Sequence, residues 1–209
     1  MRVSLGGAGD AKQIIHLALL RTSSPGDAVV LRQCSDLAQF GFFERPTVRQ
    51  MLQFFAKTVC GRVSPGQRVS VDQEEMEGYR VHAHVRADGL AATATCDAEY
   101  PARAAFSLLA QALAEFERAS PGWRTGLERD WPPLAEHLRR ARDPKAYDRI
   151  AKIQGDLDET TDVLHKTIDN LLERGEKLDS LVERSDDLSK QSKMFYKQAR
   201  KTNSCCVVS

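Results

Sequence analysis

Counted from Ile150 in alternating steps of three and four, the chain places Ile153, Leu157, Thr160, Leu164, Thr167, Leu171, Arg174, Leu178, Leu181, Ser185, Leu188, Ser192, Phe195, Ala199 and Thr202 on one line. A seam with this 3.5-residue period, kept over more than seven heptads, predicts a helix that supercoils left-handedly with others. At 1.5 Å per residue that helix is about 80 Å long. One helix cannot bury its own seam. Small and polar members such as Thr160, Thr167, Ser185 and Ser192 are too weak for a stable homodimer, so the segment is expected to meet larger partner residues or to be disordered when free. No proline follows Pro144, and the only later glycines are Gly155 and Gly175.

Arg174 stands in the middle of that seam. A buried, unpaired guanidinium costs several kcal/mol, on the order expected for an unpaired charge, unless partner chains supply acceptors. The alternative is a register slip, with Gly175 loosening the helix and Arg174 left in water.

Before Pro144 the sequence has a different character. Two short apolar runs, Ile14 to Leu20 and Ala28 to Leu31, flank Thr22-Ser23-Ser24-Pro25-Gly26-Asp27 and predict a hairpin. Val48, Met51, Leu52, Phe55 and Val59 recur at helical spacing after Pro46. Three stretches then alternate or carry small β-tolerant residues, Arg68 to Val71, Tyr79 to Val85 and Leu90 to Cys96. A second helix carries Ala104, Phe106, Leu108, Leu109, Leu113 and Phe116. The order β-β-α-β-β-β-α predicts an α+β domain, a five-stranded antiparallel sheet with packed helices. Residues 1–13 form a glycine-rich leader, 14–125 the domain and 126–145 a proline-interrupted linker with one short helix. The coiled-coil segment is 146–203 and the tail 204–209.

The 209 residues carry a net charge of +1, which argues against nucleic acid as a partner. Five cysteines, an odd number without CxxC spacing, suggest neither a disulfide framework nor a zinc site and point to a reducing compartment. The start lacks a signal peptide's apolar stretch, and no run of about 18 apolar residues spans a bilayer. Gly6 to Lys12 lacks GxxxxGK[ST], so no phosphate loop is expected. His82 and His84, on one face of a strand without a third ligand, are expected to be surface residues, so no metal is assigned. No nucleophile and base arrangement indicates an enzyme, and no cofactor is expected.

Leu171-Leu172-Glu173-Arg174-Gly175-Glu176-Lys177-Leu178, with Leu157-Asp158-Glu159-Thr160 before it and Ser192-Lys193-Met194-Phe195-Tyr196-Lys197 after it, resembles the core motif of R-SNAREs. The resemblance implies that Arg174 packs against glutamines from three Q-type SNARE helices in a parallel four-helix bundle. Asp36 to Arg45, Glu99-Tyr100-Pro101 and the element order resemble the longin (profilin-like) domain of the prenylated, lipid-anchored branch of R-SNAREs. What this implies is a v-SNARE of vesicle docking and fusion, for instance in ER-Golgi transport. Its place would be the cytoplasm and the cytoplasmic face of endomembranes: Golgi, ER-derived vesicles, endosome or vacuole.

Cys206-Val207-Val208-Ser209 is a CaaX box whose serine favours a farnesyl on Cys206 and implies a prenyltransferase as partner. One prenyl chain anchors only marginally, so Cys205 is the expected second site, for palmitoyl or a second prenyl. Lys190, Lys193, Lys197, Arg200 and Lys201 add positive charge beside the anchor. Phe54 falls at the edge of the first helix's stripe. The resemblance implies that this longin surface binds the chain's own SNARE segment in a closed form, opened by partners or membrane. The competing expectation is a lipidated coiled-coil adaptor or tether that drives no fusion.

Overall fold

The structure is a computed structural model that describes residues 13–72, 78–125, 131–148 and 163–204. Strands β1 (Ile14–Ser24) and β2 (Asp27–Ser35) form the hairpin, and helix α1 (Arg45–Cys60) follows. A meander of β3 (Arg68–Asp72), β4 (Tyr79–Val85) and β5 (Leu90–Asp97) leads into α2 (Ala102–Ala119). Proline sets both helix starts: Pro46 lies in the first turn of α1, and Pro101, with ψ 117°, is still extended before α2. Next come α3 (Pro133–Arg140), β6 (Val163–Thr167), a 3-10 turn (Asp169–Leu171), α4 (Leu178–Arg184) and α5 (Lys190–Ser204).

The sheet order is β2-β1-β5-β4-β3-β6. Five strands pair antiparallel, as the sequence predicts. The sixth, β6, comes from the heptad segment and lies parallel to β3, Arg68 opposite Val163 and Asp72 opposite Thr167. The five-stranded, wholly antiparallel expectation is thus corrected to six strands in a mixed sheet. Without β6, strand β3 is an edge with unpaired backbone groups; β6 satisfies them.

One face of the sheet packs on α1, where Val48, Met51, Leu52, Phe55 and Val59 join Val69, Val71, Val81 and Ala83. The other face packs on α2, with Phe106, Leu109, Leu113 and Phe116 against Leu17, Leu19 and Ala92. The expected linker belongs to this second core as well. Leu134, Leu138, Ala141 and Tyr147 are buried there, and the Tyr100 hydroxyl donates to the Ala141 carbonyl at 3.1 Å. His137 bridges the Tyr147 hydroxyl (2.8 Å) and the Glu115 carboxylate (3.0 Å). Residues 133–145 of the expected linker, and Tyr147 after them, thus pack on the domain, their apolar side chains covered beside α2.

His82 is a second correction. It is fully buried, bonded through Nδ1 to the Ser70 hydroxyl at 2.8 Å and edge-on to Phe106. Alternation left its face undecided, and helix α2 covers it.

Candidate functional site

In the described residues, the heptad segment is not one long rod. It breaks into a strand, a 3-10 turn and two short helices that wrap around the α1 face of the sheet. With no partner helix to cover it, the seam is buried instead on the surface the chain itself provides. Ile168, Leu171, Leu178, Val182, Leu188 and Tyr196 join one core with Met51, Leu52, Phe54 and Phe55, and Leu164, Leu172, Leu181 and Phe195 pack partly buried against it. Phe54, placed by the sequence at the edge of the stripe, is 6% exposed beneath this layer.

Polar contacts fix the register. Gln50 on α1 accepts from the Ser189 amide (3.1 Å) and the Ser192 hydroxyl (2.6 Å). Arg62, just past α1, grips Glu176 with both arms, Nη2 at 2.7 Å and Nε at 3.1 Å. Burial pushes the Glu176 carboxyl up, but the Arg62 bonds and charge outweigh it and leave the group below the usual carboxylate range. Lys57 pairs with Asp187, and the Tyr196 hydroxyl donates to Asp179 at 2.9 Å, tying α5 to α4.

Arg174 is exposed, in a turn closed by the Glu176 amide on the Glu173 carbonyl at 2.9 Å. Gly175 next to it has φ +87°, a conformation strained for any residue with a Cβ. In this state the register does break at Gly175. Other seam members fall in three groups. Leu171, Leu178, Leu188 and Ser192 are buried. Leu164, Leu181, Ser185, Phe195 and Ala199 are half-buried, and Thr167 is exposed. Ile150, Ile153, Leu157 and Thr160 lie outside the described residues, as do Cys205, Cys206 and the side chain of Thr202.

Sequence counting missed Ile168, Val182 and Tyr196, which are buried although they lie off the seam. The signal was there: each stands one residue after a seam position, and the three are spaced fourteen apart. It also missed Gln50 and Arg62, polar residues that only their contacts reveal.

Among the described residues no helix is long and apolar enough to cross a membrane. The described cysteines are poor nucleophiles. Burial pushes the Cys34 and Cys60 thiols up to about 12, and that of Cys96 higher still.

Residues 149–207 match the synaptobrevin family, and residues 37–131 match the longin, or regulated-SNARE-like, domain. The chain is 48% identical to the VAMP-like protein YKT61 of Arabidopsis thaliana, over 92% of this chain and 96% of that one. It is 46% identical to the synaptobrevin homolog ykt6 of Schizosaccharomyces pombe, over 94% and 99%. Against the synaptobrevin homolog YKT6 of Saccharomyces cerevisiae the identity is 40%, over the same shares. With a longin domain, a synaptobrevin segment and relatives matched along nearly their whole length, the chain belongs to the longin-domain R-SNAREs of vesicle trafficking.

Proposed function

We propose that this R-SNARE alternates between the closed form described above and a four-helix bundle with three Q-SNARE helices, and that lipid on Cys206 and Cys205 holds it on the vesicle. One observation carries this reading. Leu171, Leu178, Leu188 and Ser192, which a bundle needs on its inside, are buried against the longin domain. The same atoms cannot face Q-type helices at the same time, so the two states exclude each other and the longin domain is autoinhibitory. Opening is driven by partner residues that bury the seam more fully.

In the bundle Arg174 leaves water for a layer of glutamine acceptors, which satisfy its planar donors. Zippering from Ile150 toward Thr202 draws the lipid-anchored end toward the opposing membrane. Farnesyl on Cys206 with a second lipid on Cys205 supplies the two signals that stable anchoring needs, helped by the lysines and arginine of α5. A prenyltransferase is the partner that would add the first lipid. The work is mechanical, and no residue is assigned a catalytic role.

The test mixes the purified chain with a panel of Q-SNARE helices and scores SDS-resistant complexes for wild type and Arg174→Asp. The expected result is a four-helix complex that the substitution weakens at least tenfold, the size of effect on the order of an unpaired buried charge. A wild-type chain that assembles with no set, even when opened, contradicts the fusion role and leaves the adaptor.

A further inference from the structure

Labelled as heptads, the seam has two columns. Leu164, Leu171, Leu178, Ser185, Ser192 and Ala199 occupy a; Thr167, Arg174, Leu181, Leu188 and Phe195 occupy d. The closed form buries Leu171, Leu178 and Ser192 of the a column and half-buries Leu164, Ser185 and Ala199, but it uses d less: Thr167 and Arg174 are exposed, Leu181 and Phe195 half-buried, and of these five Leu188 alone is buried.

The e column, one residue after d, takes over. Its members with described side chains are Ile168, Gly175, Val182, Ser189 and Tyr196, seven apart. Three are anchors, at 3%, 0% and 2% exposure for Ile168, Val182 and Tyr196. Two are breakers. Gly175, at φ +87°, permits the turn that ends the 3-10 stretch and starts α4. Ser189 caps α5, its hydroxyl accepting from the Ser192 amide at 3.2 Å and its carbonyl from the Lys193 amide at 3.0 Å. A cap is useful only where a helix begins, so this one has no role in a continuous rod.

Positions a and e are four residues apart and share one helix face, so Leu178 with Val182 and Ser192 with Tyr196 point at the longin core together. A coiled-coil core is instead built from a and d.

We infer that the e column is a built-in regulator: it encodes the closed state and stands outside the a/d core of the bundle, so that changes there shift the closed–open balance without weakening the fusion complex. The inference rests on the autoinhibited SNARE function proposed above and names the residues that regulate it. Chain chemistry then separates the two states largely by column, with a and Leu188 shared, the rest of d serving assembly and e serving closure.

Two full-length variants test it, Val182→Gln with Tyr196→Gln for the anchors and Gly175→Ala with Ser189→Ala for the breakers. The second pair adds no polarity and favours helix, so it guards against a trivial folding defect. Limited proteolysis of residues 163–204 reads closure, and assembly rate and melting of the Q-SNARE complex read the bundle. Both pairs are expected to be cleaved and to assemble about tenfold faster, because the competent fraction rises, with complex melting as in wild type. Arg174→Asp is expected to do the reverse, with normal protection and a weakened complex. Protection at the wild-type level in both pairs overturns the inference, as does complex melting lowered as much as by seam substitutions. If wild type protects the segment yet forms no complex, the fusion role fails first, so the two failures are told apart.

Discussion

Arg174 is exposed where the chain is closed, and the structure thereby meets the one demand that a lone guanidinium makes, water or acceptors. The sequence left both possibilities open, since a seam position says where a side chain sits in a bundle and nothing about a state without partners. The buried imidazoles set a different condition. Burial lowers His16 to about 4, against the hydrogen bond it donates to the Gln33 amide oxygen, which works to raise it, and burial lowers His82 to about 4, helped by Arg80. A depressed folded pKa means that the unfolded chain binds protons the native chain refuses. Stability contributed by these neutral histidines is therefore complete above about pH 6.5 and is lost as pH falls toward 4. Each contributes a slope on the order of 1 kcal/mol per pH unit in that window. Urea denaturation at pH 7.5, 6 and 5 is expected to give falling midpoints, and His82→Gln a shallower fall. Equal midpoints across the range would show that the two rings bind protons alike in the folded and unfolded chain, with no depression by burial.

At the scale of elements, α1 is the platform on which closure depends. Phe54→Glu puts a carboxylate into the buried core that Phe54 shares with Leu178 and Val182, at several kcal/mol by the order of cost for a buried charge. Residues 163–204 are expected to become protease-sensitive while Phe55 and the sheet keep the longin domain folded; sensitivity equal to wild type would mean that Phe54 does not support the segment. The strands and helices of the longin domain were legible because period two and period 3.6 are written locally, in Tyr79 to Val85 and in Val48 to Val59. Strand β6 was not. Leu164 and Thr167 fit the heptad as well as any residues do, and what makes Val163–Thr167 a strand is the free edge of β3 opposite it, a tertiary fact. Helix α3 was legible as a short helix but not as core, because its burial depends on space beside α2. Phe54 was singled out on a family resemblance, whereas Gln50 and Arg62 carry no pattern at all.

For the whole molecule, the proposed function gives one stretch of sequence two folds, with the choice made by what surface is on offer; the closed one is seen against the α1 face. On the inference drawn above, the a column and Leu188 serve both states, while the rest of d serves assembly and e serves closure. Residues 131–148 are tied to the longin domain by the His137, Tyr147 and Tyr100 contacts. The exchange itself is tested most directly by amide hydrogen exchange on the full-length chain, before and after three Q-SNARE helices are added. In the free chain the β3 edge, Arg68–Asp72, is expected to be protected by its ladder with β6. On assembly that edge should lose protection while residues 164–199 gain it along their whole length. A β3 edge already open in the free chain, or one still protected inside a stable four-helix complex, would contradict the exchange of one burial site for the other.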